Sequence, residues 1–341
     1  FFSLSKWIYN FKRRHCIVSR KINKFVTQSQ IANKEELRGN ANEFVEKVKT
    51  KIVLIGEDNV YNSDQSGFNL EMHAGRTLSF KGTLKVETLA QSLNSLTHSY
   101  TIQPIISASG HLMSPLLIVL KEKDGKFGPK IEKKLYKANN ILVLTSTSGK
   151  LTSELAIRWF EQIYLPNTNE KSVLLFLESL YLLSIEKKFN TIDKRGKEVN
   201  ILKIPAGTTG IIQPLDVYTF RPWKNFLKRF SDVLIRYNYD INLHLRNNIK
   251  KILTLIHNQF SSLRFVNLFK YAWYKSGYIE EKPPKCETPV NFCFTNCETI
   301  YDCCHDIAIF RCAWCTKSMC IQHFFDPNNS GSLHYCTNYQ Q

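Results

Sequence analysis

Val173-Leu174-Leu175-Phe176-Leu177, followed at once by Glu178, decides the fold class. Five consecutive apolar residues with no polar alternation suit a strand buried on both faces, at the centre of an α/β sheet. A carboxylate at the end of such a strand needs a cation or a partner. Upstream, Tyr61-Asn62-Ser63-Asp64-Gln65-Ser66-Gly67-Phe68 places Asp64 at a second predicted strand edge. Downstream, Ile204-Pro205-Ala206-Gly207-Thr208-Thr209-Gly210-Ile211-Ile212-Gln213-Pro214-Leu215-Asp216-Val217 places Asp216 just inside a predicted helix, where Pro214 is tolerated in the first turn. Phosphodiester cutting and joining usually use two divalent cations about 4 Å apart, which requires carboxylates that converge. Asp64, Glu178 and Asp216 are therefore the candidate catalytic and Mg²⁺ or Mn²⁺ ligands, gathered by folding from distant segments. Taken singly, Asp64 also suits a turn leading to Gly67, and Asp216 a helix N-terminus.

The rest of the chain reads as strands first, then alternating strands and helices. Strands are predicted over 59–64, 77–80, 98–107, 116–121, 172–177 and 199–204, and helices over 152–164 and 214–230. Asp240 is expected to cap a helix that buries Leu245, Ile249, Ile252 and Ile256. A further helix, burying Phe265, Phe269 and Trp273, should end at Gly277. This order predicts a mixed α/β sheet with helices on its faces.

Charge points to a polyanion partner. The 341 residues carry 46 Lys and Arg against 29 Asp and Glu, a net +17. Residues 1–34 hold eight basic residues and no acidic ones. Two short helices are predicted there, around Leu4-Trp7-Ile8-Phe11 and Val18-Ile22-Phe25-Val26. Lys12, Arg13, Arg14, Arg20 and Lys21 lie around the join, as in part of a helix-turn-helix, although a plain solvated hairpin gives the same pattern. Asn33, with Glu36 at the capping-box position, should start a connecting helix. The longest apolar stretch, 173–185, is too short to span a membrane and contains Glu178. Lys6, Lys12, Arg13 and Arg14 break any signal-peptide pattern, and the start on Phe1 leads us to expect residues upstream of it.

Nine of the ten cysteines fall between Cys286 and Cys336. Cys312-Ala313-Trp314-Cys315 and Cys320-Ile321-Gln322-His323 are pairs at metal-ligand spacing, and His334 with Cys336 offers a third. With Cys303 these residues are the candidate Zn²⁺ ligands. Which other upstream cysteines join them, and whether the thiols stay unmetallated, is open at this level.

The chain resembles the DDE superfamily endonucleases, in the pogo and jerky-like branch of the Tc1/mariner transposases that includes the centromere protein B relatives. The resemblance rests on Val60 to Phe68, Gly75-Arg76-Thr77, Thr97-His98-Ser99-Tyr100-Thr101, Ile106 to Gly110 and Pro115 to Val119. It is strongest in Pro205 to Asp216 followed by Arg221-Pro222-Trp223-Lys224. It covers roughly 50–280. It implies a ribonuclease H-like fold, three Mg²⁺-binding acids, DNA as the partner and the nucleus as the compartment. Asp64 matches the first acid and Asp216 the third. Glu178 stands where the second Asp is expected, and Gln65 where the family often has Glu. Trp7 to His15 looks like the end of a centromere-protein-B-type helix-turn-helix, and the cysteine-rich end resembles the tails of some transposases.

The predicted organisation is a helix-turn-helix remnant (1–32), a connecting helix (33–50), an endonuclease-like domain (51–280) and a zinc-binding module (286–341). Arg221, Lys224, Lys228 and Arg229 are expected to hold DNA phosphates, unless they are only a solvated helix face. The expected function is a DDE-type endonuclease and strand transferase. The alternative is an inactive, domesticated or decayed transposase that still binds DNA, and a third reading makes the zinc tail a protein-binding module. No small-molecule substrate or membrane is expected, and a homo-oligomer is left open.

Overall fold

The computed structural model describes residues 2–18, 28–73, 79–92, 96, 99–177, 189, 192–295, 297, 306–324 and 336. The chain forms two compact units, Phe1–Asn40 and Ala41–Gln341. In the first, helix α1 (Phe2–Arg14) ends in Lys12, Arg13 and Arg14, cations that suit the negative end of a helix dipole. Its described side chains, Lys6 onward, are exposed. The expected second short helix falls mostly on residues 19–27, outside the described residues, as do Arg20 and Lys21. Helix α2 (Gln28–Ile55) begins five residues before Asn33, so Asn33 is not its cap. Gln28-Ser29-Gln30-Ile31-Ala32 contains no Gly or Pro to break the helix, which therefore extends through it.

The second unit is built on strands β1 (Val60–Ser63), β2 (Ser66–Asn69), β3 (Ser99–Gln103), β4 (Ile105–Ser107) and β5 (Leu116–Lys121). Helix α3 (Pro129–Lys133), β6 (Ile141–Ser146), helix α4 (Ser153–Trp159), β7 (Lys171–Leu177) and β8 (Glu198–Ile204) follow. Then come α5 (Thr209–Ile212), α6 (Phe220–Arg236), α7 (Arg246–Phe260), α8 (Val266–Lys275) and α9 (Pro289–Phe294). A short ribbon, β9 (Phe310–Arg311) with β10 (Ser318–Met319), and α10 (Ile321–Phe324) close the described chain. No helix among the described residues is long and apolar enough to cross a membrane.

Two four-stranded ladders form, in the orders β4-β1-β7-β8 and β2-β3-β5-β6. In the first, β1, β7 and β8 run parallel and β4 antiparallel to β1. In the second, β2, β3 and β5 are antiparallel neighbours and β6 is parallel to β5. The ladders meet at a seam. β1 passes into β2 through Asp64-Gln65, and β3 passes into β4 through Pro104, which has no N–H for a ladder. Ser63 stitches the seam: its Oγ donates to the Pro104 carbonyl at 3.0 Å and accepts from Gln103 Nε2 at 3.3 Å. The mixed sheet flanked by helices is the ribonuclease H-like arrangement expected from the sequence.

Val173, Leu174 and Leu175 of β7 are buried on both faces of the sheet. Val173 and Leu175 join one core with Trp223, Phe226, Phe230 and Phe260, while Leu174 joins the other with Trp159, Phe160 and Tyr164. Several local expectations fail for physical reasons. Of the strand expected over 77–80, residues 77 and 78 lie outside the described residues, and Ser79 and Phe80 lie in irregular backbone, with Phe80 exposed. Asp240 does not cap α7, whose cap position is Leu245, and Leu245 is exposed. The predicted helix 152–164 is α4 followed by a π-helical turn, Phe160–Tyr164, with Pro166 in the 3-10 turn that ends it. The predicted helix 214–230 likewise opens as a π-helical turn, Leu215–Thr219, before α6.

Candidate functional site

Asp64 occupies the seam, directly after β1, and is 5% exposed. Burial is the main force on its carboxyl, lifting the pKa from 3.8 to about 7, and the Asp216 charge adds to the rise. The Gln65 backbone N–H and the Gln213 side chain pull in the opposite direction. Folding thus brings Asp64 and Asp216 together across about 150 residues of chain.

Asp216 is the second residue of the π-helical turn ahead of α6. It keeps much of its surface open, yet the crowding around its carboxyl still raises the pKa, and Lys224 lowers it. Lys224, two turns along the same helix, is held over the Phe68 ring with Nζ 5.3 Å from the centroid. Phe68 belongs to β2, the strand that leaves Asp64, and from there the Lys224 charge acts on Asp216.

Asn62, not singled out by sequence reasoning, sets this geometry. Its side chain is fully buried. Nδ2 donates to the Leu175 carbonyl of β7 at 3.2 Å, and Oδ1 accepts the Leu215 N–H at 3.1 Å. One amide therefore ties β1, two residues before Asp64, to β7 and to the residue before Asp216. The available signal was an Asn inside an otherwise strand-forming segment, a residue depleted in strands. Gln213 is also fully buried, and its side-chain amide reaches the Asp64 carboxyl. It lies close enough to Asp64 to lower its pKa.

Glu178 lies outside the described residues. The parallel pairing of Asn62 with Leu175 brings the last residues of β7 level with Asp64, and Glu178 follows β7 directly in sequence. The carboxylates are hard donors, which suit Mg²⁺ or Mn²⁺ and not a soft metal. A divalent cation between Asp64 and Asp216 would remove their mutual repulsion and offset the cost of burying Asp64.

The cysteine-rich end supplies a second donor set. The Sγ atoms of Cys312, Cys315 and Cys336 all lie within 4.8 Å of one another. A tetrahedral zinc with Zn–S bonds of about 2.3 Å requires S···S edges of about 3.8 Å. Cys320 and His323 meet each other instead, Sγ to Nδ1 at 3.1 Å. Cys303 and His334 lie outside the described residues. The buried Cys293 feels the charges of Cys312 and Cys297 and is pushed up by burial first. The Cys312 thiol is pushed up to about 12 by burial, so it ionises readily only when a cation compensates. The Cys segment sits on α7: the Ala313 N–H donates to Gln259 Oε1 at 2.6 Å and Trp314 Nε1 to the Asn258 carbonyl at 2.6 Å.

The expected DNA-binding cations fall in three places. Lys12, Arg13 and Arg14 are exposed at the end of α1 in the first unit. Lys224 stands beside Asp216. Arg221 opens a row on the outer face of α6 with Lys228 and Arg229.

Residues 101–277 match the family model of the DDE superfamily endonucleases, a span that includes Asp216 and begins after Asp64. Residues 273–336 match the Tc5 transposase C-terminal domain. No curated protein matches the chain. Among solved structures, the Mos1 strand transfer complex is similar with a TM-score of 0.46 and 10% identity, over 83% of this chain and 71% of that one. The Mos1 mariner paired-end complex with Mn gives 0.44 and 8%, over 76% and 62%. The catalytic domain of Mos1 mariner transposase gives 0.33 and 8%, over 76% and 100%.

Proposed function

The chain belongs to the DDE superfamily endonucleases, and from that premise we propose that it is a transposase-type, metal-dependent DNA endonuclease and strand transferase. One observation carries the reading: Asp64 is a carboxylate buried at the sheet seam, and Asn62, two residues before it, accepts the N–H of Leu215, the residue next to the second carboxylate, Asp216. That arrangement is unfavourable alone and favourable around a hard dication. The match to a transposase C-terminal domain supports it, as does the net charge of +17.

Asp64, Asp216 and Glu178 would hold Mg²⁺ or Mn²⁺ through carboxylate oxygens. Such ions supply Lewis-acid activation of the attacking and leaving oxygens of an in-line displacement at phosphorus. The chain's own residues do the rest. Asn62 fixes β1 and the Asp216 turn against β7. Lys224 sets a positive charge beside Asp216, where a phosphate would dock. Gln213 offers its amide to the inner face of the site. Water attacks in the cutting step, and a DNA 3′-hydroxyl attacks in the joining step. The compartment under this reading is the nucleus, where such DNA is.

The thiols of Cys312, Cys315 and Cys336 are proposed to hold a structural Zn²⁺, with Cys320 and His323 as a further ligand pair. The glutamate at position 178 favours one other reading, a DNA-binding protein without catalysis. It adds a methylene where the family has Asp, and misplacement by about 1 Å can cost roughly 100-fold in rate. Nicking of supercoiled DNA with Mn²⁺ separates the two. The wild type nicks and Asp216→Ala does not; equal nicking by both removes the enzyme.

A further inference from the structure

α6 carries a second feature that the acidic site does not use. Arg221, Asn225, Lys228, Arg229 and Asp232 recur at helical spacing and therefore share one face. That face forms one wall of a cleft of about 520 Å³. Tyr218 closes the end nearer Asp216, two residues along the chain from it. The opposite wall is Thr288, Val290 and Asn291, at the start of α9. The walls are fixed by the core beneath them, where Phe294 of α9 meets Phe226 of α6 edge to face at 4.9 Å.

The cleft's charge is strongly one-sided. Arg221, Lys228 and Arg229 line it, and among the described residues none of them forms a salt bridge within 4 Å. The one acid, Asp232, sits at the far end and feels His73, Arg229, Arg236 and Lys228 around it. Around the cations stand neutral groups able to hydrogen-bond a phosphate oxygen: the Tyr218 hydroxyl and the Asn225 and Asn291 amides. Arginine forks pair with phosphate in two-point fashion, and they are two of the three cations.

We propose that this cleft grips the sugar-phosphate backbone of duplex DNA beside the scissile bond, with the start of α9 as its second jaw. The proposal rests on the endonuclease reading for the identity of the polyanion. Eight residues separate Arg221 from Arg229, about 12 Å of helix at 1.5 Å per residue. Phosphates rise about 3.4 Å per nucleotide along the duplex axis and lie farther apart along the winding strand itself, so the row reaches about two to three of them. The cleft begins on the turn that carries Asp216, so a strand lying in it leads toward the acidic pair. The C-terminal segment then serves as part of the DNA grip and not as a separate appendage.

The test is salt-dependent binding of the full chain to a labelled duplex, read by fluorescence anisotropy in chelator so that no cutting occurs. Each phosphate contact contributes about 0.9 to the slope of log K against log salt. The variant Arg221→Ala/Lys228→Ala/Arg229→Ala is expected to lower that slope by about 2 to 3. Lys130→Ala/Lys133→Ala/Lys134→Ala removes the same charge from an exposed site elsewhere and is expected to leave the slope unchanged. Asn291→Glu, on the opposite wall and exposed, tests the second jaw without touching α6, and is expected to weaken binding about tenfold or more. An unchanged slope in the cleft variant, or an equal loss in both triple variants, overturns the cleft. Equal affinity and slope for duplex RNA overturns the assignment to DNA. Normal slope changes with no nicking by the wild type would sink the enzyme and leave the cleft standing.

Discussion

Replacing Asp64 by asparagine should stabilise the metal-free protein at neutral and alkaline pH. The side chain keeps its size and an acceptor for the Gln65 N–H, but it no longer ionises. In the wild type the folded pKa is about 7 and the unfolded value about 3.8. Between these values the folded state holds the proton more tightly, so the wild type loses stability as pH rises through this window. A tenfold difference in proton affinity between the two states is worth about 1.4 kcal/mol, so the loss approaches about 4 kcal/mol above pH 7. Below about pH 4 both states are protonated and wild type and Asp64→Asn should differ by a constant. His257 works in the opposite sense over nearly the same range. Burial lowers its pKa to about 4, so the unfolded chain takes up its proton first and stability falls as the solution is acidified. The two effects partly cancel in the wild type, and Asp64→Asn should uncover the His257 dependence. The assay is urea unfolding in chelator from about pH 4 to about pH 8, followed by the fluorescence of the buried Trp159, Trp223 and Trp273. Subtracting the two pH profiles isolates Asp64. Parallel profiles would refute the buried, repelled carboxylate. Added Mg²⁺ should restore the wild type alone, by about 2.7 kcal/mol at a hundredfold excess over its dissociation constant.

Three further outcomes are expected. Asn62→Ala leaves the Leu215 N–H unpaired in the core and should cost about 1 to 3 kcal/mol, with Mn²⁺ affinity falling in step; unchanged Mn²⁺ affinity would remove its positioning role. The purified chain should carry zinc that Cys312→Ser or Cys336→Ser variants lack, measured by elemental analysis; equal zinc in all three would dismiss the Cys312, Cys315 and Cys336 cluster. Lys224→Met should slow Mn²⁺-dependent nicking by about tenfold to a hundredfold while leaving the Mn²⁺ dissociation constant within a few-fold; a loss confined to metal affinity would assign Lys224 to the acids alone.

Much of the sheet is legible in the sequence where one residue type dominates a segment. The apolar run of β7 suits burial on both faces, and Val173, Leu174 and Leu175 are buried so. β6 escaped because Ile141-Leu142-Val143-Leu144 is as short as a loop's apolar cluster, and only its pairing with β5 makes it a strand. The seam at Asp64 was not visible because it depends on Pro104, 40 residues away, interrupting the neighbouring strand. The π-helical start of the Asp216 turn was equally hidden. Pro214 allows either helix, and the Leu215 N–H is directed by Asn62 on another strand. Leu245 was misjudged because periodicity locates a stripe but not where the helix starts, and its own position is the cap. The acidic residues themselves could be listed from sequence; what brings Asp64 and Asp216 together is long-range hydrogen bonding by Asn62, which has no local signature.

Titration of the metal-free protein with Mn²⁺ at about pH 8, followed by calorimetry or electron paramagnetic resonance, addresses the acidic pair most directly. The wild type should bind Mn²⁺ at a site that Asp64→Asn and Asp216→Asn each weaken by at least about tenfold. Undiminished binding in either variant would mean that the two carboxylates do not share an ion.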